Sequence, residues 1–173
     1  MSAPSYRVVI CGTDIIGRAA ARWLKTLDFH VIVIAPAVRG IPHRRVAGAH
    51  RVVECPYAQL GRRVALGEKT FLLIVTREEV SDLACLRVGL ASEAGFITMV
   101  SGRSRWRAFQ TRLKAEGYAR NDLRRVQCPA GIEIGALTPE EIALSIAAQL
   151  VQERARRMIG DSVFRRQPAP SPA

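Results

Sequence analysis

Aromatic residues are scarce in this 173-residue chain, at 6% of positions, and no uninterrupted apolar run approaches a membrane helix, which needs about 20 residues. A soluble, cytoplasmic protein with no membrane partner is the expectation. The opening MSAPSYRVVI lacks a basic segment, apolar core and cleavage site in succession, so no signal peptide is expected either. Cysteines are few: Cys11, Cys55, Cys85 and Cys128 stand far apart, with no Cys-x-x-Cys pair. The histidines His30, His43 and His50 are not at ligand spacing. Both absences argue against a zinc site and for reduced thiols, and no metal is expected. No Ser-His-Asp arrangement can be argued from the residue order. Acidic residues are also in short supply, 15 against 26 basic ones, for a net charge of +11. That imbalance favours an anionic partner. The arginines are spread along the chain without a reader motif or interleaved aromatics, so no specific nucleic-acid partner is expected.

What is present is an alternation of short apolar runs and helical patterns. Arg7 to Cys11, His30 to Ile34 and Phe71 to Val75 read as strands buried on both faces, with Arg51 to Val53 and Phe96 to Val100 as weaker candidates. Helical patterns cover Gly17 to Leu27, Tyr57 to Leu66, Glu78 to Ala94 and Arg103 to Glu116. The predicted fold is α/β: a doubly wound, mostly parallel Rossmann-like sheet with helices on both faces. One domain over residues 1–160 suits the length. Residues 161–173 form a basic, proline-rich tail predicted to be disordered. Ala35 to His50, with Pro36, Gly40, Pro42 and Gly48, reads as a long surface loop. The strongest helix signal runs from Thr138 to Met158: Thr138 as cap, Pro139 in the first turn and Glu141 completing a capping box.

The loop Cys11 to Gly17, CGTDIIG, sits where a dinucleotide-binding glycine loop belongs. Its first and last glycines, Gly12 and Gly17, keep the turn and packing roles, but Asp14 replaces the glycine that lets a pyrophosphate approach. Two unit charges about 4 Å apart repel by roughly 4 kcal/mol at an effective dielectric near 20, and the helix dipole offsets only about 1 kcal/mol. The second strand ends in Ala35 rather than in an acid for the ribose. NAD(P) binding is therefore not expected, and Asp14 is read as the helix cap.

A longer signature lies at Cys128 to Val151, CPAGIEIGALTPEEIALSIAAQLV. It resembles the "P-I-G-L-D-I-G-A-x-T-P-E-E-I-A-x-S-I" signature of the Rossmann domain of the XdhC/CoxI family, with Glu133 at the acidic position. RVVICGTDIIGRAAARWL and FITMVSGRSRWRAFQTRLKAEGY are similar to the family's opening strand-loop-helix and its Gly-Ser-Arg turn. The resemblance implies a maturation factor for a molybdenum hydroxylase of the xanthine dehydrogenase or CO dehydrogenase type. It further implies the molybdenum cofactor (molybdopterin) as ligand and the hydroxylase as partner. Larger members carry an additional N-terminal domain, and none is expected here. The chain departs from the family's usual Gly-Ala-Gly-His-Val-Gly loop at Asp14 and Ile15, from its second-strand Asp at Ala35, from Thr-His at Thr76-Arg77 and from His-Ala-Pro at Gln127-Cys128-Pro129.

Ligands of open α/β sheets bind beyond the carboxyl ends of the strands. The candidate cofactor-binding residues are accordingly Gly12, Asp14, Gly17, Thr76, Arg77, Gly102, Arg103, Arg105, Cys128, Gly131, Glu133 and Gly135, and no catalytic residue is assigned. Arg103 and Arg105 are read either as an anion grip or as solvated, salt-bridged groups. Cys128 is read either as a soft ligand or as a packed thiol. The leading expectation is an accessory protein rather than an enzyme. An NAD(P)-binding oxidoreductase or nucleotide sensor with a degenerate glycine loop remains open, as does a structural partner that dimerises with a full-length relative or with itself.

Overall fold

The computed structural model describes residues 6–37 and 45–159. The predicted tail, and residues 38–44 of the predicted long loop, lie outside the described residues. The elements run β1 Arg7–Cys11, α1 Ile15–Thr26, β2 His30–Ala35 and β3 Arg51–Glu54, then a 3-10 turn Tyr57–Gln59 leading into α2 Leu60–Arg63. They continue with β4 Thr70–Ile74, α3 Glu79–Leu90, β5 Phe96–Met99, α4 Arg103–Ala115, α5 Arg120–Leu123, β6 Val126–Gln127 and α6 Pro139–Ile159. The strands form one sheet in the order β3-β2-β1-β4-β5-β6. Every neighbouring pair is parallel. This is the doubly wound Rossmann-like α/β fold expected, with the order reversing between β1 and β4.

Alternation along the strands explains why their sequences are apolar throughout. Val8 and Ile10 of β1 join α1 and α6 in one core, with Leu24, Phe29, Phe71, Ile146 and Leu150. Val9 and Cys11 turn to the opposite face, where α3 and α4 supply Leu83, Leu86, Trp106, Phe109 and Leu113. Each fully buried side chain of this size stabilises the fold by about 1.5–3 kcal/mol, and neither face of the central strands is left to water. Trp106, Phe109 and Leu113 of α4, and Ile146 and Leu150 of α6, form the faces that pack against the sheet.

The differences from expectation are local. The predicted helix Tyr57 to Leu66 is a 3-10 turn and a single α-turn, because Tyr57, Leu60 and Val64 reach the core from a tight bend. The third predicted helix ends at Leu90 rather than Ala94. The elements α5 and β6, of four and two residues, were not anticipated. The described end of the long loop is fastened: His50 N–H donates to Val31 O at 2.8 Å and Val31 N–H to His50 Nδ1 at 3.1 Å. Among the described residues no helix is long and apolar enough to cross a membrane.

Candidate functional site

At the switch point the β1–α1 loop is packed against the start of the neighbouring turn. Gly12 has φ +122°, and a Cβ there would collide with the Val75 carbonyl. A Cβ on Gly17 would lie 2.9 Å from Gly12 O and 3.0 Å from Val75 Cγ1. Both glycines therefore serve close packing. Asp14 caps α1: its Oδ1 accepts the Gly17 N–H at 2.8 Å, and its buried Oδ2 lies 3.6 Å from Arg77 Nη1. A carboxylate thus stands at the helix end to which a phosphate would bind.

The turn after β4 is welded from below by a residue that sequence reasoning missed. Asp82, fully buried on α3, accepts a hydrogen bond from Thr76 Oγ1 at 2.5 Å and pairs with Arg105 Nη2 at 3.0 Å. Arg105 also donates to Arg77 O at 3.5 Å and covers the Phe109 ring. Burial pushes the Asp82 carboxyl up, against the opposing pull of the Thr76 hydrogen bond and the Arg105 charge. Arg105 is thereby committed to an internal ion pair, which is the salt-bridged alternative for that residue. Arg77 sits above with φ +61°, a left-handed conformation that is strained for a side chain of its size.

Beyond β5 the arrangement is open. Gly102 occupies the N-cap of α4 with no side-chain cap bond, no acid lies in the first turn, and no atom would meet a Cβ at Gly102 within 4 Å. Arg103 is exposed and has no ion-pair partner among the described residues. Ser101 Oγ is shielded from solvent without a hydrogen-bond partner. A cleft of about 450 Å³ opens here, walled by Ile16, Arg77, Ser101, Gly102, Arg105 and Ile142. Cys128 lies behind it, its Sγ donating to Ser101 O at 3.5 Å. Burial raises its thiol to about 11, which favours the packed alternative over a thiolate ligand.

The signature turn is held from several directions. Gly131 N–H donates to Gln149 Oε1 at 3.0 Å, Gln149 Nε2 donates to Gly131 O at 3.3 Å, and Thr98 Oγ1 donates to Gln149 Oε1 at 3.1 Å. Gly131 has φ +95° and presses against Ser145, while Gly135 has φ +70° in open space. Glu133 Oε1 accepts the Gly135 N–H at 2.9 Å, so this carboxylate closes its own turn. The capping box is present: Leu137 and Thr138 N–H groups both donate to Glu141 Oε2 at 2.8 Å, and Glu141 N–H to Thr138 Oγ1 at 3.3 Å. A second cleft of about 340 Å³ runs along this turn past Arg103 and shares Pro129, Ala130 and Ile142 with the first.

The fold thus gathers Asp14, Arg77, Gly102, Arg103 and Arg105 around one rim, with Gly131, Glu133 and Gly135 beside it. Among the described residues no group of three His, Cys, Asp or Glu side chains is placed to hold a metal. A family model described as the XdhC Rossmann domain matches residues 8–150. The chain belongs to this family. A relative in Escherichia coli (strain K12), the uncharacterized protein YqeB, is 26% identical over 157 residues, covering 84% of this chain and 27% of its own. A solved structure from Bacillus halodurans, described as a xanthine dehydrogenase, matches with TM-score 0.77 at 24% identity over 94% of this chain and 46% of that one. This XdhC Rossmann domain therefore spans less than half the length of either protein.

Proposed function

We propose that the chain is an accessory protein in the maturation of a molybdenum hydroxylase, holding the anionic end of the molybdenum cofactor in the cleft beyond β5. The family match supports the maturation role, and the Bacillus halodurans protein of similar fold is described as a xanthine dehydrogenase. The observation that carries the site is the uncapped start of α4, with Arg103 unpaired and Ser101 Oγ orphaned beside it. The pterin cofactor is cargo here. It bears a phosphate, and the free N–H groups of the first α4 turn, the Arg103 guanidinium and the Ser101 hydroxyl are the donors such a group requires. Ile16, Pro129, Ala130 and Ile142 offer an apolar wall to the flat ring. NAD(P) is disfavoured by the same logic in reverse, since Asp14 already satisfies the start of α1 and Ala35 offers nothing to a ribose.

Titration of purified protein with molybdopterin tests the reading. Saturable binding that weakens about tenfold or more in Arg103→Glu, the loss of one charge-assisted contact, is the expected result. Binding of NAD at micromolar concentration, with none of molybdopterin, would replace this reading with the oxidoreductase.

A further inference from the structure

Fully buried aspartates are rare, and one beneath a ligand cleft calls for a reason beyond stability. Asp82 is wholly inaccessible, yet its two oxygens are unequally served. Oδ1 accepts the Thr76 hydroxyl at 2.5 Å, whereas Oδ2 lies 3.0 Å from Arg105 Nη2 without receiving an aligned hydrogen bond. Oδ2 is thus held by charge alone, and it is the atom that can take a proton.

Arg105 has a second face. Its side chain is 36% exposed and lines the cleft of about 450 Å³ with Arg77 and Ser101, while Asp82 is not among the lining residues. The carboxylate therefore stands behind the guanidinium as seen from the cleft. While Asp82 is ionised, it cancels much of the Arg105 charge that an anion there would meet. A proton on Oδ2 ends this, because the new O–H and the Arg105 N–H are both donors and the full cation is left to the cleft.

The other groups that face Asp82 leave this exchange to it. Burial pushes Tyr57 of the 3-10 turn, Cys85 of α3 and Cys128 behind the cleft upward, with the Asp82 charge among the further causes, so all three stay neutral from acid to neutral pH. Glu78, at the N-cap of α3, is an exposed carboxylate whose charge adds to the upward push on Asp82. Against it stand the Thr76 hydrogen bond and Arg105.

We propose that the cleft takes up its anion together with a proton, which Asp82 receives as the anion draws on Arg105. The inference rests on the cleft beyond β5 being the anion site. Binding and protonation are then reciprocal: the anion raises the proton affinity of Asp82, and acid raises the affinity for the anion.

Sulfate, whose own charge does not change, is titrated calorimetrically between about pH 5 and about pH 8 in two buffers of different ionisation heat. Wild type should bind about tenfold more tightly at the acid end, the equivalent of one unit of pKa change at Asp82. Its binding heat should also depend on the buffer, which registers proton uptake. Asp82→Asn should keep the acid-end affinity throughout, with no dependence on buffer. Thr76→Val removes a hydrogen bond that favours the ionised carboxylate and should move the wild-type profile to higher pH. Glu78→Gln should retain proton uptake. Equal uptake by wild type and Asp82→Asn, no uptake by wild type, or an unmoved profile in Thr76→Val overturns the coupling. Sulfate binding with uptake in wild type alone, accompanied by no binding of molybdopterin, upholds the coupling and removes the maturation reading. Absence of sulfate binding at every pH removes the anion cleft and the coupling with it.

Discussion

Two helices leave this sheet from glycine turns, α1 after β1 and α4 after β5, and they end in opposite chemistry. At α1 the turn is crowded, with Gly12 and Gly17 against Val75, and the free N–H groups meet the chain's own carboxylate, Asp14. At α4 the glycine touches nothing, no acid is present, and an unpaired arginine begins the helix. A helix start is an anion site only while it is left unfilled. The position where a nucleotide would sit is closed by one internal group, and the helix start without a side-chain cap lies two strands away.

The largest expected effect separates the two glycines. Gly12→Ala puts a side chain at φ +122° and into the Val75 carbonyl, and should cost on the order of 4 kcal/mol or prevent folding. Urea denaturation measures it. A loss under about 1 kcal/mol would mean that the turn can rearrange and that the crowding at α1 is not structural.

Next comes Asp82, which ties the rim together from beneath. Asp82→Ala strands Arg105 and the Thr76 hydroxyl and should cost about 3 kcal/mol, the lower end for a broken buried pair because Arg105 keeps some water. The pH dependence carries a sign. The folded-state pKa of Asp82 is raised, so its contribution is fully present below the ordinary carboxylate range and is lost as pH rises through the elevated value. Wild type should therefore lose stability relative to Asp82→Asn as pH climbs from about 4. Melting curves of both proteins across that range check this. A gap that moves the other way would show the Arg105 ion pair outweighing desolvation.

These particulars also mark what the sequence discloses. The strands, α1, α4 and α6 were legible because burial on two faces leaves unbroken apolar runs and because capping chemistry is local: Asp14 reads as a cap, and Thr138 with Glu141 as a box, from a few adjacent residues. The elements α5 and β6 are too short to show a period. Tyr57, Leu60 and Val64 mimic helical spacing because a tight bend can deliver the same residues to a core. Asp82 sits in the run EEVSD, which reads as a solvated face, and only the fold brings Arg105 and Thr76 to it. Gln149 and Thr98 were missed for the same reason: a buried polar side chain announces itself through its partner, and Gly131 lies far from both in sequence. Arg103 and Arg105, two positions apart and alike in type, are divided by the fold into an exposed cation without an ion-pair partner among the described residues and a structural one.

A smaller effect tests the closure of α1. Asp14→Ala removes the cap bond to Gly17 and the partner of Arg77, and should cost about 1 kcal/mol. Asp14→Gly goes further in function: with the carboxylate gone, the start of α1 is free, and inorganic phosphate should bind there in addition to the α4 site. Calorimetry of phosphate with wild type and Asp14→Gly gives one site and two. A single unchanged site in the variant would show that Arg77 or the crowded loop, rather than Asp14, keeps anions out.

The smallest effect on stability belongs to α4, and it is the one that decides the comparison. Gly102→Ala finds open space at an ordinary φ of −73° and replaces an acceptable N-cap residue by a poor one, so it should cost less than about 1 kcal/mol. Arg103→Glu is equally quiet in a melting curve, because the side chain is exposed and breaks no ion pair. It does improve the dipole: an acid in the first turn of a helix stabilises it by about 0.3–1 kcal/mol. For the same reason it must defeat anion binding, by filling the helix start as Asp14 fills that of α1 and by reversing the charge that faces the cleft. The variant should thus melt at or slightly above wild type while losing phosphate and molybdopterin binding. Ser101→Ala should weaken the same ligands to a lesser degree, since it removes one neutral donor. Undiminished phosphate binding by Arg103→Glu would place the anion elsewhere on a chain of net charge +11, and the contrast between the two helix starts would then have no bearing on function.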